Sequence, residues 1–156
     1  MQTSPHRAIV LADAGLDPRH ESLIHTLEFW GHKVYDYKNP GPKVKGMVWD
    51  DEDPLYHKWS NYQLRDAVYR AKVQKQVRYD LQAIEQCDTF LLVSPSEYCS
   101  HIGLGIAWQQ GKDCVIYMPD KPVLTVLYGI VHAIACSQEE LFDYLSYPIG
   151  QIQREG

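Results

Sequence analysis

Residues 80–112 read DLQAIEQCDTFLLVSPSEYCSHIGLGIAWQQGK, and this stretch decides the architecture. A helical segment ends at Cys87 and Asp88, and the unbroken apolar run TFLLV follows at residues 89–93. A run of this kind, without polar alternation, suits a strand buried on both faces. Residues 95–99 form a turn, Ser100 is the expected cap of a second helix, and Gly111 is its stop. A strand set between two helices implies parallel pairing, because parallel neighbours need a crossover that returns over the sheet. Amides at the start of the second helix have no intrahelical partners and favour anionic or electron-rich ligand groups.

The same alternation extends in both directions. Residues 8–12 (AIVLA) form another buried strand, residues 13–16 a turn, and Asp17 with Pro18 a cap and first helical position. Leu23, Ile24, Leu27 and Trp30 recur at helical spacing up to Gly31. Residues 33–37 form a strand, broken by residues 39–42 (NPGP). Residues 43–59 show no period and hold Trp49, Tyr56 and Trp59 among Asp50, Asp51, Glu52 and Asp53. They read either as a functional loop over the sheet edge or as a surface insertion with aromatics packed beneath it. Residues 61–86 are helical with one break near Lys75, residues 114–118 a strand, 122–130 a short helix, and 132–136 a last strand. Ser137 and Glu140 make a capping box for a helix through Leu145, and the polar tail from Pro148 is expected to fray.

These elements predict one domain over residues 1–156, with its core at about 8–145. Its fold class is α/β, a flavodoxin-like doubly wound sheet of five parallel strands with helices on both faces. Ligands of such sheets sit at the carboxyl ends of the strands, which gathers Asp13, Asn39, residues 94–99 and Asp120 around one mouth.

The chain has 156 residues, of which 45% are hydrophobic and 22% charged, as a folded domain requires. Its formal net charge of -5 argues against a nucleic-acid polymer as partner but leaves a free nucleoside or nucleotide open. No run suits a bilayer span, and residues 1–7 lack a signal-peptide stretch, so a cytoplasmic protein without a membrane partner is expected. Cys87, Cys99, Cys114 and Cys136 are scattered, as are the histidines, so neither a metal nor another cofactor is expected. Cys114 and Cys136 lie in strand-like runs and are read as small core residues.

Three patterns occur in order: D-x-x-x-I-x-x-C-D at residues 80–88, an apolar strand running into Pro95, and G-x-A-x-x-x-G-K at residues 105–112. With Gly31-His32-Lys33-Val34-Tyr35-Asp36, Asn39-Pro40, Trp49, Trp59, Leu127-Tyr128 and Glu139-Glu140-Leu141, the chain resembles the nucleoside 2-deoxyribosyltransferase family over roughly residues 8 to 145. That resemblance implies cleavage or transfer at an N-glycosidic bond. A glutamate attacks the anomeric carbon through an oxocarbenium-like transition state, and an acid assists departure of the base.

The family's E-x-G-x-A pattern reads Gly103-Leu104-Gly105-Ile106-Ala107 here, so Gly103 stands at the nucleophile position. Two loops also depart from the pattern. Residues 13–16 (DAGL) replace a polar S-S-W-R-like run, and of residues 96–101 only His101 matches a C-G-R-S-A-H-type run.

By resemblance, Asp80 and Glu97 are the catalytic candidates, as acid, base or holders of sugar hydroxyls. Ser96, Ser100, His101 and Gly103 would contact a phosphate or sugar oxygen, and Trp49, Trp59 or Tyr98 would stack on a base. Asp80 reads equally as a solvated helix residue, Glu97 as an exposed turn residue, and His101 as a helix-terminus side chain. The resemblance also implies a homodimer or higher homo-oligomer.

Gly103 supports three readings: a nucleotide-binding pseudoenzyme, catalysis by a relocated carboxylate such as Glu97, or a substitution introduced to silence the enzyme. In the first, glycine permits close ligand approach at about 0.5–1 kcal/mol of helix stability. Close packing of helix on sheet is assigned instead to Gly105 and Ala107. A purely structural interaction module, using the aromatic-rich loop and the apolar residues 124–130, is a further alternative.

Overall fold

The computed structural model describes residues 4–14, 17–120 and 125–153. Its strands are β1 (Ala8–Ala12), β2 (Lys33–Asp36), β3 (Thr89–Val93), β4 (Asp113–Tyr117) and β5 (Ala133–Ala135). Its α-helices are α1 (His20–Phe29), α2 (Trp49–Glu52), α3 (Asn61–Val68), α4 (Ala71–Gln86), α5 (Tyr98–Gln109) and α6 (Gln138–Ser146). Short 3-10 helices cover Tyr56–Lys58 and Val126–Ile130. The strands form one five-stranded parallel sheet in the order β2-β1-β3-β4-β5, the flavodoxin-like arrangement expected from the sequence.

The chain divides into two compact units. One holds the described residues up to Tyr35 and from Ala83 onward; the other is Asp36–Gln82.

Strand alternation sorts the core of the first unit into two layers. Ile9, Leu11, Leu91, Val93, Val115 and Tyr117 face one way and pack with Leu23 and Leu27 of α1 and Leu141 and Leu145 of α6. Val10, Ala12, Phe90, Leu92, Cys114 and Ile116 face the other way, against Ile84, Leu104, Ala107 and Tyr128. Burial pushes the Cys87 thiol up to about 11 and the Cys114 thiol to about 12, so both stay protonated as apolar filler.

The amino-terminal edge of the sheet is organised by Arg7. Its guanidinium donates to Asp113 Oδ2 (2.8 Å), Thr89 Oγ1 (2.8 Å), the Leu145 carbonyl (2.9 Å) and the Tyr147 carbonyl (2.6 Å). Both members of the Arg7–Asp113 pair are buried, and such a pair is tolerable only when its donors and acceptors are satisfied in this way. Asp88 orients the neighbouring strands by accepting from the Ala8 amide (2.9 Å) and the Thr89 hydroxyl (2.7 Å).

Several boundaries differ from the sequence reading. Asp17 accepts the Arg19 amide (2.9 Å), yet α1 begins only at His20, so Pro18 is not its first residue. The expected stop holds, with Gly31 at a φ of 91°. The break in residues 61–86 falls at Tyr69 and Arg70 rather than Lys75, where the Gln74 side chain donates to the Val68 carbonyl (2.9 Å). α3 starts with a capping box, Ser60 with Gln63, that the sequence reading missed. Residues 43–59 contain α2 and a 3-10 turn, so this loop has its own short helices.

Ser137 caps α6 as expected, but Glu140 reaches back to the Cys136 amide (2.7 Å) rather than to Ser137. Cys136 is exposed, not a core residue. The tail is anchored as far as the structure describes it: Ile152 is buried in the core, and the Gly150 amide donates to Asp113 Oδ2 (2.8 Å). Part of the helix expected at residues 122–130 lies outside the described residues, as do Gly15 and Leu16 of the first turn.

Candidate functional site

In the strand order β2-β1-β3-β4-β5, successive connections diverge between β1 and β3, so the crevice at their carboxyl ends is the place where such sheets bind ligands. β1 delivers Asp13 to this edge. Its carboxylate lies 2.6 Å from His20 Nδ1 in the first turn of α1, and both side chains are buried. A carboxylate only accepts, so the imidazole presents Nδ1–H to it. The Asp13 carbonyl accepts from the buried Ser100 hydroxyl (3.2 Å), which ties β1 to α5. Asp13 and Ser100 therefore do come together, whereas His20 was not among the sequence candidates.

β3 delivers Ser94, buried, followed by Pro95 and the loop into α5. α5 begins at Tyr98 with Glu97 as its N-cap, so Ser100 lies inside the first turn instead of capping it. His101 Nδ1 donates to the Glu97 carbonyl (2.9 Å), and Ser96 Oγ lies at 3.5 Å. With that proton on Nδ1, the neutral imidazole accepts at Nε2 from the Tyr128 hydroxyl (2.9 Å). The two rings stack at 5.7 Å with 7° between their planes. Burial raises the Tyr128 phenol above its ordinary value, and a hydrogen bond with Ser94 works the other way. Both His101 nitrogens thus have protein partners, and the side chain positions Tyr128.

Glu97 is exposed at the helix start, where the Cys99 thiol approaches its carboxylate at 3.9 Å. Burial and then the Glu97 charge raise that thiol above its ordinary value. Tyr98 is also exposed. At the same edge, Arg19 forks onto Asp17 (3.0 Å to each oxygen) and donates to Asp120 (2.8 Å). The Arg19 hydrogen bond holds the Asp17 carboxyl below its ordinary value, against the opposing effect of burial.

Gly103 is buried against the sheet. A Cβ built there would lie 3.0 and 3.1 Å from the Phe90 ring and 3.6 Å from Ile84 Cδ1. The space read as room for a ligand is filled by phenylalanine. Gly105, read as the packing glycine, has nothing within 4 Å of its Cβ position, while Ala107 is buried as expected.

The remaining candidates belong to the second unit. Trp49 lies edge-to-face with Trp59 (6.0 Å) and stacks on Tyr56 (6.4 Å). Trp59 Nε1 donates to Asp53 (2.7 Å), and Arg70 sits over the Trp59 ring at 5.3 Å. The Leu55 amide and then the Trp59 indole hold the Asp53 carboxyl below its ordinary value. The aromatics of this stretch therefore pack on one another. Asn39 donates to Asp36 (2.7 Å), and Asp80 accepts from Gln76 (2.8 Å).

His20 and Tyr128 were the groups missed. His20 had only its place seven residues after Asp13 as a signal, and Tyr128 was quoted only within the family resemblance. Among the described residues, no cluster of three or more His, Cys, Asp or Glu is placed to hold a metal ion, and no helix is long and apolar enough to cross a membrane.

The strand order and the helices on both faces define a flavodoxin-like α/β protein whose connections diverge between β1 and β3. Among solved structures, the chain is similar to the 2-deoxyribosyltransferase of the psychrotolerant bacterium Bacillus psychrosaccharolyticus. The identity is 16%, covering 93% of this chain and 95% of that one with a TM-score of 0.61, a likeness of fold. It is also similar to the Clostridium botulinum CMP N-glycosidase BcmB, at 22% identity over 89% of this chain and 98% of that one, with a TM-score of 0.49. No protein-family model and no curated protein sequence matches the chain.

Proposed function

We propose that this chain binds a nucleoside or nucleotide at the carboxyl ends of β1 and β3, in a site descended from N-glycosidic bond chemistry. The observation that carries the reading is the gathering of buried and half-buried polar groups there. Asp13 with His20, and Ser94 with Tyr128 and His101, stand where a doubly wound sheet binds its ligand. The shared fold with a 2-deoxyribosyltransferase and the motif order over residues 80–112 agree with it.

Capture without turnover is favoured over transfer by one specific observation. Gly103 supplies no carboxylate and abuts Phe90, while Glu97 sits exposed at a helix cap. An oxocarbenium-like transition state needs a carboxylate against the sugar, and displacement by even ~1 Å costs ~10²-fold in rate.

The test is incubation with a panel of nucleosides and nucleotides, following the unfolding midpoint and the free base by chromatography. A bound ligand at ~100-fold its Kd stabilises by about 2.7 kcal/mol. Stabilisation without free base is the expected result. Base release would establish a hydrolase. Neither effect across the panel would remove the ligand reading and leave an interaction module.

A further inference from the structure

We infer that the outward faces of α3 and α4 bind single-stranded nucleic acid, through tyrosine rings that stack on bases and cations that follow the phosphates. The formal net charge of -5, which argues against such a partner, hides a segregation. Residues 54–79 hold six basic residues, Lys58, Arg65, Arg70, Lys72, Lys75 and Arg78, against one acid, Asp66, a formal charge of +5. The rest of the chain holds nine Lys or Arg against 19 Asp or Glu, or -10. Salt screens distant charges within about 8–10 Å, so a polyanion lying on this segment meets its local field rather than the charge of the whole chain.

Helix geometry turns these groups outward. Tyr62, Arg65 and the C-cap Tyr69 lie within ~60° of one another on the side of α3 opposite Ala67, its buried residue. Tyr62 is 71% exposed and Tyr69 73%. Lys72, Lys75, Arg78 and Tyr79 fall within ~120° on α4, on the side away from the buried Ile84. The acids just before the segment are already engaged: Asp51 pairs with Lys45 (3.0 Å), Glu52 with Lys72, and Asp53 accepts from the Trp59 indole (2.7 Å). Among the described residues, the exposed Lys58, Lys75 and Arg78 form no ion pair.

The rings identify which polyanion fits. Charge alone suits any anionic polymer or lipid surface, but neither a phospholipid headgroup nor a bare polyanion offers a ring to stack. Here charge and ring are held side by side: Arg65 over Tyr62 at 5.3 Å, Arg70 over Trp59 at 5.3 Å, and Lys75 beside Tyr79 at 5.9 Å. Exposed rings set among cations match unpaired bases joined by phosphates, whereas the bases of a duplex are already stacked on one another. Asp13, His20, Ser94, His101 and Tyr128 all lie outside residues 54–79, so this inference does not depend on ligand capture in the crevice.

Fluorescence anisotropy of the full chain with a labelled oligothymidylate, longer than the ~4–16 nucleotides that such sites cover, tests the inference. Binding is expected at low salt, weakening with a log–log slope of about -0.7 per phosphate contacted. Lys75→Glu combined with Arg78→Glu should weaken binding by ~10-fold or more and make the slope shallower. Tyr62→Ala combined with Tyr69→Ala should weaken it roughly 5-fold or more at an unchanged slope, because stacking releases no counterions. Tyr62→Phe with Tyr69→Phe keeps the rings and should retain binding. No binding at low salt would overturn the inference. So would binding that the paired alanine substitutions leave unchanged, or binding to anionic phospholipid vesicles in place of the oligonucleotide.

Discussion

Replacing Gly103 by alanine sets two opposed effects against each other. Alanine relieves the helix of a glycine, a gain of about 0.5–1 kcal/mol. The new methyl would sit 3.0 and 3.1 Å from the Phe90 ring, inside the ~3.5–4.0 Å optimum for carbon pairs. Phe90 is itself buried among Val10, Ile84, Leu92 and Leu104, so neither ring nor helix can withdraw freely. Overpacking of this kind costs about 1–3 kcal/mol. The balance is a loss of about 0–2.5 kcal/mol, equivalent to several degrees in Tm at most for a chain of this length.

Urea unfolding measures this directly, and a double-mutant cycle isolates the contact. Phe90→Leu alone loses stability by leaving a gap, whereas the added methyl partly fills that gap in the double variant. Coupling of at least about 1 kcal/mol is expected between the two sites. A Gly103→Ala variant that gains the full helix-propensity increment, or a cycle additive within ~0.5 kcal/mol, would refute the packing account. The same geometry predicts that Gly103→Glu alone destabilises the fold and gains no hydrolysis, because its carboxylate would have to displace a buried ring.

Three further outcomes are expected. Arg7→Ala leaves Asp113 buried without its cation and should lose about 3–5 kcal/mol in urea unfolding; a loss below 1 kcal/mol would contradict the role given to that pair. Burial, and then the Arg7 charge, hold His32 below its ordinary value of 6.5. The unfolded chain therefore binds this proton first, and stability falls as pH drops from about 7.5 towards 5. His32→Gln should flatten that slope, and an unchanged slope would assign it to other groups. Asp13→Asn removes the charge facing His20 and should abolish stabilisation by any nucleoside or nucleotide that protects the wild type; protection of equal size in the variant would place the ligand elsewhere.

The inner strands were legible because they lie between two helical layers, and a doubly buried strand is apolar at nearly every position. β1 follows that rule throughout, and β3 at every position but Thr89, whose hydroxyl is satisfied by Arg7 and Asp88. The break between α3 and α4 was not legible. No glycine or proline marks Tyr69 and Arg70, and the Gln74 side chain that meets Val68 reaches across the gap only once the chain has turned. Topology alone was enough to put Asp13 at the carboxyl end of β1. His20 escaped because its value lies in a buried pairing that no spacing rule encodes. Gly103 and Gly105 were assigned the wrong way round for a similar reason. On a helix the two lie on opposite sides, and only the position of Phe90 shows which side is pressed against the sheet.

Arg7 has a bearing on how the molecule comes apart. One guanidinium fastens the start of β1 to the starts of β3 and β4 and to the chain leaving α6, segments otherwise separated by up to 140 positions in sequence. The end of the sheet away from the crevice is in effect riveted. Local opening there must release the segment entering β1 and the one leaving α6 together, so backbone amides around Thr89, Asp113 and Gly150 should exchange with solvent as one slow cooperative block while the crevice side breathes on its own.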